Sequence, residues 1–161
     1  MESALPPTSD NRADDPSAGR MVGREHRLPV RVYYEDTDFT SLVYHANYLR
    51  YFERGRSDFL RLIGADHATG LEQSDPAAFT IARMEVAYLR PARIDEALVV
   101  ITTYEKLKGA RLDALQRIER DGVVLARAAV FAACIDLQGR PRRPHGHLVD
   151  SVKPYLPPAA S

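Results

Sequence analysis

The 161-residue sequence has one cysteine, no excess of charge of either sign and no long apolar run. The single cysteine, Cys134, excludes an internal disulfide framework, and the apolar run around it favours a buried side chain over a reactive thiol. Lys+Arg and Asp+Glu each number 22, so bulk attraction to nucleic acid or to an anionic membrane is not expected. No stretch approaches the ~20 apolar residues of a membrane span, and residues 2–18 lack the apolar core of a signal peptide. We therefore expect a cytoplasmic protein.

The motifs of several enzyme classes are missing as well. The sequence has no Gly-x-Ser-x-Gly elbow, no phosphate-binding loop, no dinucleotide fingerprint and no Cys/His set for zinc. A metal site on Asp38, His45 and Glu53 is disfavoured because no second histidine lies near them in the sequence. We expect neither a metal nor a cofactor.

The length suits one domain preceded by a tail. Residues 1–23 are rich in Pro, Asp and Ser and lack apolar periodicity, which predicts a disordered N-terminal tail. Residues 24–156 then form the domain, and residues 157–161 a flexible C-terminus.

Apolar periodicity predicts one long helix and five strands. The helix begins near His45 or Ala46 and ends before Gly64; its apolar stripe comprises Tyr48, Phe52, Gly55, Phe59 and Leu62. Strands are predicted at 27–34, 79–89, 97–106, 111–120 and 123–137, with a tight hairpin at 121–122. The last four strands would form a meander. One helix packed on an antiparallel sheet is an α+β arrangement, and its exposed edges favour pairing between subunits.

An acidic turn at residues 35–41 directly precedes the helix. The unpaired N–H groups of a helix start can polarise a carbonyl oxygen, and a neighbouring carboxylate can attack that carbonyl or activate water. A thioester is a suitable substrate for a carboxylate beside a helix start, because its thiolate leaves readily. From spacing alone, the simpler interpretation is a solvated turn or capping residue for Asp38 and a partly buried histidine for His45.

Resemblance to a known family favours the catalytic interpretation. The sequences at 34–38, 43–49 and 52–54 closely resemble the Tol–Pal-associated, YbgC-type acyl-CoA thioesterases, which belong to the 4-hydroxybenzoyl-CoA thioesterase family. Residues 83–93 resemble the second strand of that family and its exit turn, and the likeness covers about residues 26–156. It implies a hot-dog fold, in which a five-stranded antiparallel sheet wraps one long helix. It also implies a homodimer or homotetramer with active sites at the dimer interface.

The resemblance also implies residue roles. Asp38 would be the nucleophile or general base, His45 would assist, and the N–H groups of Tyr44 and His45 would polarise the thioester carbonyl. Further residues proposed to line or support the substrate site are Tyr48, Glu53 and a basic cluster, Arg140, Arg142 and Arg143, which could meet coenzyme A phosphates or form a solvated loop. The family usually has glycine where this chain has residues 39–42, so the turn or the pocket is expected to differ here.

The sequence therefore predicts an acyl-CoA thioesterase that releases a free acid and coenzyme A. The alternative is a hot-dog module that binds an acyl ligand or an acyl carrier protein with little hydrolysis of its own. In a third interpretation, the acyl carrier protein is the true thiol donor. Neither the acyl length nor the choice between dimer and tetramer follows from the sequence.

Overall fold

The computed structural model describes residue 16 and residues 18–160, which fold as one sheet with helices. Within these residues the elements are β1 (Arg20–Val22), β2 (Glu25–Arg31), α1 (His45–Leu62), α2 (His67–Leu71), β3 (Ala78–Tyr88), β4 (Ala97–Lys108), β5 (Arg111–Arg120), β6 (Val123–Ile135) and α3 (Gly146–Val152). All strand pairs are antiparallel, and the order across the sheet is β1-β2-β4-β5-β6-β3. No helix in the described part of the chain is long and apolar enough to cross a membrane.

The last three strands form a meander, but β3 does not belong to it. Asp121 and Gly122 have φ values of 50° and 78°, as a two-residue turn between β5 and β6 requires, and this confirms the predicted hairpin. The predicted four-strand meander is wrong, because β3 pairs with β6 and not with β4. Both sides of β4 are occupied by β2 and β5, so the free edge of β6 is the place left for β3.

Helix α1 is the long helix predicted from the sequence, and it packs against the sheet. Tyr48, Tyr51, Phe52 and Phe59 are each no more than 4% exposed. A side chain at Gly55 would place a Cβ 2.8 Å from Val100 Cγ1 and 2.9 Å from Thr102 Oγ1, so glycine allows the helix to approach β4 closely. Leu62, predicted to belong to the apolar stripe, is 42% exposed because the helix ends there.

The N-terminal boundary of the domain differs from the prediction. The sheet has six strands and not five, because Arg20–Val22 pairs with β2 inside the segment predicted to be a disordered tail. Residues 1–15 and 17 lie outside the described residues, as does residue 161. Residues 157–160 contain no helix or strand, and their flexibility stays a prediction. Helix α3 was not predicted.

A buried His–Asp pair fastens the N-terminal strands to α1. The Asp58 Oδ2 atom lies 2.7 Å from His26 Nε2 and accepts the Gly19 N–H at 2.8 Å. His26 is fully buried and stacks on Phe59 with ring centroids 5.5 Å apart. Burial lowers the pKa of His26 even though the Asp58 carboxylate opposes the shift, so we assign a neutral ring that donates from Nε2.

We expect Asp58→Ala to destabilise the fold by about 1–3 kcal/mol, because it leaves the buried His26 ring and the Gly19 N–H without their acceptor. Thermal and urea unfolding followed by circular dichroism measures this. Asp150→Ala, at an exposed helix position, is the matched control and should unfold like the wild type. Equal stability of the two variants would contradict the role given to Asp58.

Candidate active site

A tight turn between β2 and α1 holds Asp38. Thr37 and Val43 form an isolated antiparallel bridge, and the Asp38 N–H donates to the Leu42 carbonyl at 2.9 Å. Ser41 closes the turn with an N–H bond to the Asp38 carbonyl at 3.1 Å and has a φ of 65°. This is the left-handed conformation that glycine adopts most easily, so Ser41 takes up the glycine-like backbone at some strain.

Asp36 joins this turn to the start of α1. Its carboxylate accepts the Tyr33 N–H at 2.8 Å. Its carbonyl oxygen accepts the Tyr44 N–H at 2.9 Å and the Asn47 side-chain amide at 2.8 Å. Asp36 is buried, so these bonds are protected from competing water and fix the position of the helix start.

The unpaired donors of α1 are therefore not those expected. The Tyr44 N–H is already bonded to Asp36, so its predicted role in polarising the carbonyl is wrong. Within the described residues, no protein acceptor meets the N–H groups of His45 and Ala46. These two donors lie at the positive end of the helix dipole, where a developing negative charge is stabilised.

Asp38 is exposed, and its carboxylate is held through one oxygen. The Oδ1 atom accepts the Thr40 hydroxyl and also the Thr40 N–H at 2.8 Å. These two bonds, the hydroxyl contributing most, lower the pKa of Asp38 below its ordinary value. The side chain is therefore ionised at neutral pH, as a nucleophile or general base must be.

Asp38 and His45 line the same open cleft, and their catalytic roles stay a prediction. Its volume is about 430 Å³, and the residues that define it include Asp38, Leu42, Tyr44, His45, Tyr48 and Tyr88. His45 is the first residue of α1 and is exposed, with its ring packed against Tyr44 at 4.5 Å and against Tyr88 at 6.3 Å between centroids. The Asp38 carboxylate and the His45 imidazole thus lie at one opening, beside the start of α1.

Two tyrosines form the wall of the cleft. Tyr48 is 4% exposed, and its hydroxyl accepts the Ala92 N–H at 2.9 Å. The Tyr88 hydroxyl donates to the His45 carbonyl at 3.0 Å, and its ring lies edge-on to Tyr48 at 5.4 Å. Sequence analysis missed Tyr88 as a site residue. The one indication in the sequence was the position of Tyr88 at the end of a strand with alternating apolar and polar residues.

The other predicted substrate ligands lie elsewhere in the chain. Glu53 lies about 12 Å further along α1 than His45 and binds Arg56 at 2.5 Å, so it is not part of this cleft. Arg140 and Arg142 pair with Asp136 and Asp75, each at 2.7 Å. They and Arg143 follow the C-terminal end of β6, which pairs with the start of β3. Tyr88, in the wall of the cleft, is the last residue of β3, so the length of that strand, about 33 Å, separates the two regions. Within one chain, the basic cluster therefore does not line the Asp38 cleft, and its contact with coenzyme A phosphates stays a prediction.

A second cavity lies at that far end. It is apolar, has a volume of about 110 Å³, and its walls include Leu60, Phe79, Cys134 and Leu148. The one carboxylate at its rim, Asp66, caps α2 by accepting the Thr69 N–H at 2.9 Å. Across the described residues, no group of three His, Cys, Asp or Glu side chains is placed to hold a metal ion. The Asp38 cleft is therefore the better candidate for acyl-transfer chemistry.

Known proteins are similar to this chain in sequence and in fold. The sequence model of the thioesterase-like superfamily matches residues 32–160. This chain belongs to that superfamily. The acyl-CoA thioesterase YbgC of Haemophilus influenzae is 40% identical over 117 residues, which cover 73% of this chain and 85% of the relative. The acyl-CoA thioester hydrolase YbgC of Escherichia coli O6:H1 is 39% identical over 121 residues, 72% of this chain and 87% of the relative.

A solved structure extends the likeness to three dimensions. The probable thioesterase of Bartonella henselae superposes with a TM-score of 0.72 at 40% identity, covering 74% of this chain and 98% of its own. The predicted hot-dog fold and the resemblance to YbgC-type thioesterases are thereby confirmed. An association with the Tol–Pal machinery stays a prediction.

We expect Tyr48→Phe to cost about 1–2 kcal/mol of stability, because the buried Ala92 N–H loses its acceptor. The substitution should leave the KM for an acyl-CoA substrate nearly unchanged, since the Tyr48 hydroxyl is buried and its oxygen bonds to the Ala92 N–H. Tyr34→Phe is the control, because Tyr34 is 83% exposed. Urea unfolding and steady-state kinetics separate the two effects. A large rise in KM without loss of stability would instead make Tyr48 a substrate ligand.

Proposed function

We propose that this protein hydrolyses acyl-CoA thioesters in the cleft between Asp38 and the start of α1. One observation carries the proposal: the ionised Asp38 carboxylate and His45 border the same opening, and the backbone N–H groups of His45 and the next residue, Ala46, have no protein acceptor within the described residues. The names of the YbgC relatives, acyl-CoA thioesterase and acyl-CoA thioester hydrolase, support the substrate class.

In the proposed reaction, the N–H groups of His45 and Ala46 bind the thioester oxygen and stabilise the charge that develops on it. Asp38 either attacks the carbonyl carbon or removes a proton from the attacking water. The C–S bond then breaks, and coenzyme A leaves as a thiolate that needs little acid assistance (thiol pKa about 8.5). If water is the nucleophile, this step releases the free acid directly. If Asp38 is the nucleophile, water then hydrolyses the mixed anhydride, which releases the acid and regenerates the carboxylate. His45 assists from the same cleft.

We also propose a homodimer joined through β3. This strand has 11 residues, lies at one edge of the sheet and exposes Ile81 at 42%. A long open edge is a template for pairing with a second copy. Antiparallel pairing about a two-fold axis would set the start of one β3 beside the end of the other. The basic cluster of each copy would then approach the Asp38 cleft of its partner, where it could bind coenzyme A phosphates.

The function is tested by steady-state hydrolysis of an acyl-CoA panel, from acetyl to palmitoyl and with aromatic thioesters, at neutral pH. We expect turnover of at least one member and a loss of about a hundredfold or more in Asp38→Asn. Glu35→Gln is the matched control, because Glu35 is an exposed carboxylate in the same acidic segment. It should keep wild-type activity.

Three outcomes would change the proposal. A folded wild type that hydrolyses no member of the panel would favour the module that binds an acyl ligand or acyl carrier protein. Turnover of acyl carrier protein thioesters alone would identify that protein as the thiol donor. Full activity of Asp38→Asn would remove Asp38 from the chemistry.

The basic cluster is tested with Arg143→Ala, since Arg140 and Arg142 already form ion pairs. We expect KM for acyl-CoA to rise about two- to fivefold, the loss of one exposed ionic contact, with kcat nearly unchanged. An acyl-pantetheine lacks the nucleotide phosphates and should show no such rise. Arg50→Ala, on the exposed face of α1, is the control. A monomeric wild type by light scattering would contradict the shared site.

A further inference from the structure

Thr40 contacts the Asp38 carboxylate twice and through the same oxygen. Its backbone N–H lies 2.8 Å from Asp38 Oδ1, and its hydroxyl donates to that atom as well. Within the described residues, no protein donor meets the Oδ2 atom of Asp38. The carboxylate is thus held on one side and open on the other.

We infer that Thr40 is a positioning residue, whose hydroxyl fixes the Asp38 carboxylate so that Oδ2 is the oxygen presented to the substrate. This inference rests on the proposed role of Asp38 in thioester hydrolysis. The sequence resemblance marked residues 39–42 as a departure from the family pattern, and Thr40 lies within that segment. The residue that departs from the family pattern, Thr40, therefore adds a hydrogen bond to the Asp38 carboxylate.

The physical basis is the freedom of the carboxylate torsion. The χ2 angle of aspartate is a broad, nearly two-fold torsion, so a single hydrogen bond leaves the carboxylate plane poorly defined. A second donor on Oδ1 restricts the rotation. Reactions that depend on a near-attack geometry lose rate when the attacking group is free to turn.

The same contacts act on the charge of Asp38. Donors to a carboxylate favour its ionised form, and the Thr40 hydroxyl and N–H together lower the pKa of Asp38. Because the proposed reaction uses the ionised carboxylate, activity falls as the pH drops through this pKa. Loss of the hydroxyl raises the pKa, so the acid limb of kcat/KM must move to higher pH.

A purely structural role for Thr40 would be to close the turn. Thr37 offers the comparison, because its hydroxyl donates to the Tyr34 carbonyl at 2.9 Å in the same segment. It donates no hydrogen bond to the Asp38 carboxylate. A substitution at Thr37 disturbs the turn and leaves the direct contact intact.

The experiment compares Thr40→Val, Thr40→Ala and Thr40→Ser with Thr37→Val, measuring kcat and KM with the best acyl-CoA of the panel. The range is about pH 3 to 8.5, because it must include the ordinary aspartate pKa of about 3.9. We expect the valine and alanine variants to lose roughly three- to tenfold in kcat, with KM near wild type and the acid limb moved to higher pH. Thr40→Ser keeps the hydroxyl, so its kcat and the position of its acid limb should be close to those of the wild type.

A second readout needs no turnover. Titration of the Asp38 carboxyl carbon by ¹³C NMR should give a higher pKa in Thr40→Val than in the wild type. A wild-type pH profile in both Thr40→Val and Thr40→Ala would overturn the inference. So would an equal change in Thr37→Val, because the effect would then come from the turn and not from the contact.

Failure of the inference can be told apart from failure of the proposed function. If Asp38→Asn is inactive and the Thr40 variants behave like the wild type, only the role of Thr40 is lost. If Asp38→Asn is fully active, the proposed role of Asp38 is lost, and with it the inference that depends on it.

Discussion

The backbone of Asp36 is the constraint on which the candidate site depends. Its carbonyl oxygen accepts one bond from the Tyr44 N–H and one from the Asn47 amide, at 2.9 and 2.8 Å. These bonds join the acidic turn to the first turn of α1 and leave the N–H groups of His45 and Ala46 as the free donors. The carboxylate of Asp38 and the helix start are thereby held in one fixed relation, as electrostatic stabilisation of a developing charge requires.

Features of the fold with a local signal were predictable from the sequence. The 3.6-residue period placed α1, and Asp121-Gly122 placed the β5–β6 hairpin. The position of β3 was not predictable, because it depends on which strand edge remains free after β2 and β4 have paired. Asp58 lies outside the apolar stripe predicted for α1, but the fold buries it, since its carboxylate bonds to His26 of β2 and to the Gly19 N–H. Such long-range contacts cannot be recognised from the periodicity of a short segment.

The candidate site also contains residues that could be predicted from the sequence and residues that could not. Asp38 and His45 were predicted because the segment that contains both resembles the motif of the YbgC-type thioesterases, and both residues line one cleft. The assignment of Tyr44 failed because its N–H is taken by a residue eight positions earlier, a bond that spacing does not reveal. Tyr88 arrives from another strand, and the basic cluster lies at the far end of β3. Both depend on tertiary or subunit contacts.

The most direct test of the account is a crystal structure of Asp38→Asn with a non-hydrolysable acyl-CoA analogue that keeps the carbonyl group. The account predicts that the carbonyl oxygen lies about 3 Å from the backbone nitrogens of His45 and Ala46, with the side chain of residue 38 beside the carbonyl carbon. A carbonyl group bound away from the start of α1, for instance in the apolar cavity near Phe79, would contradict it.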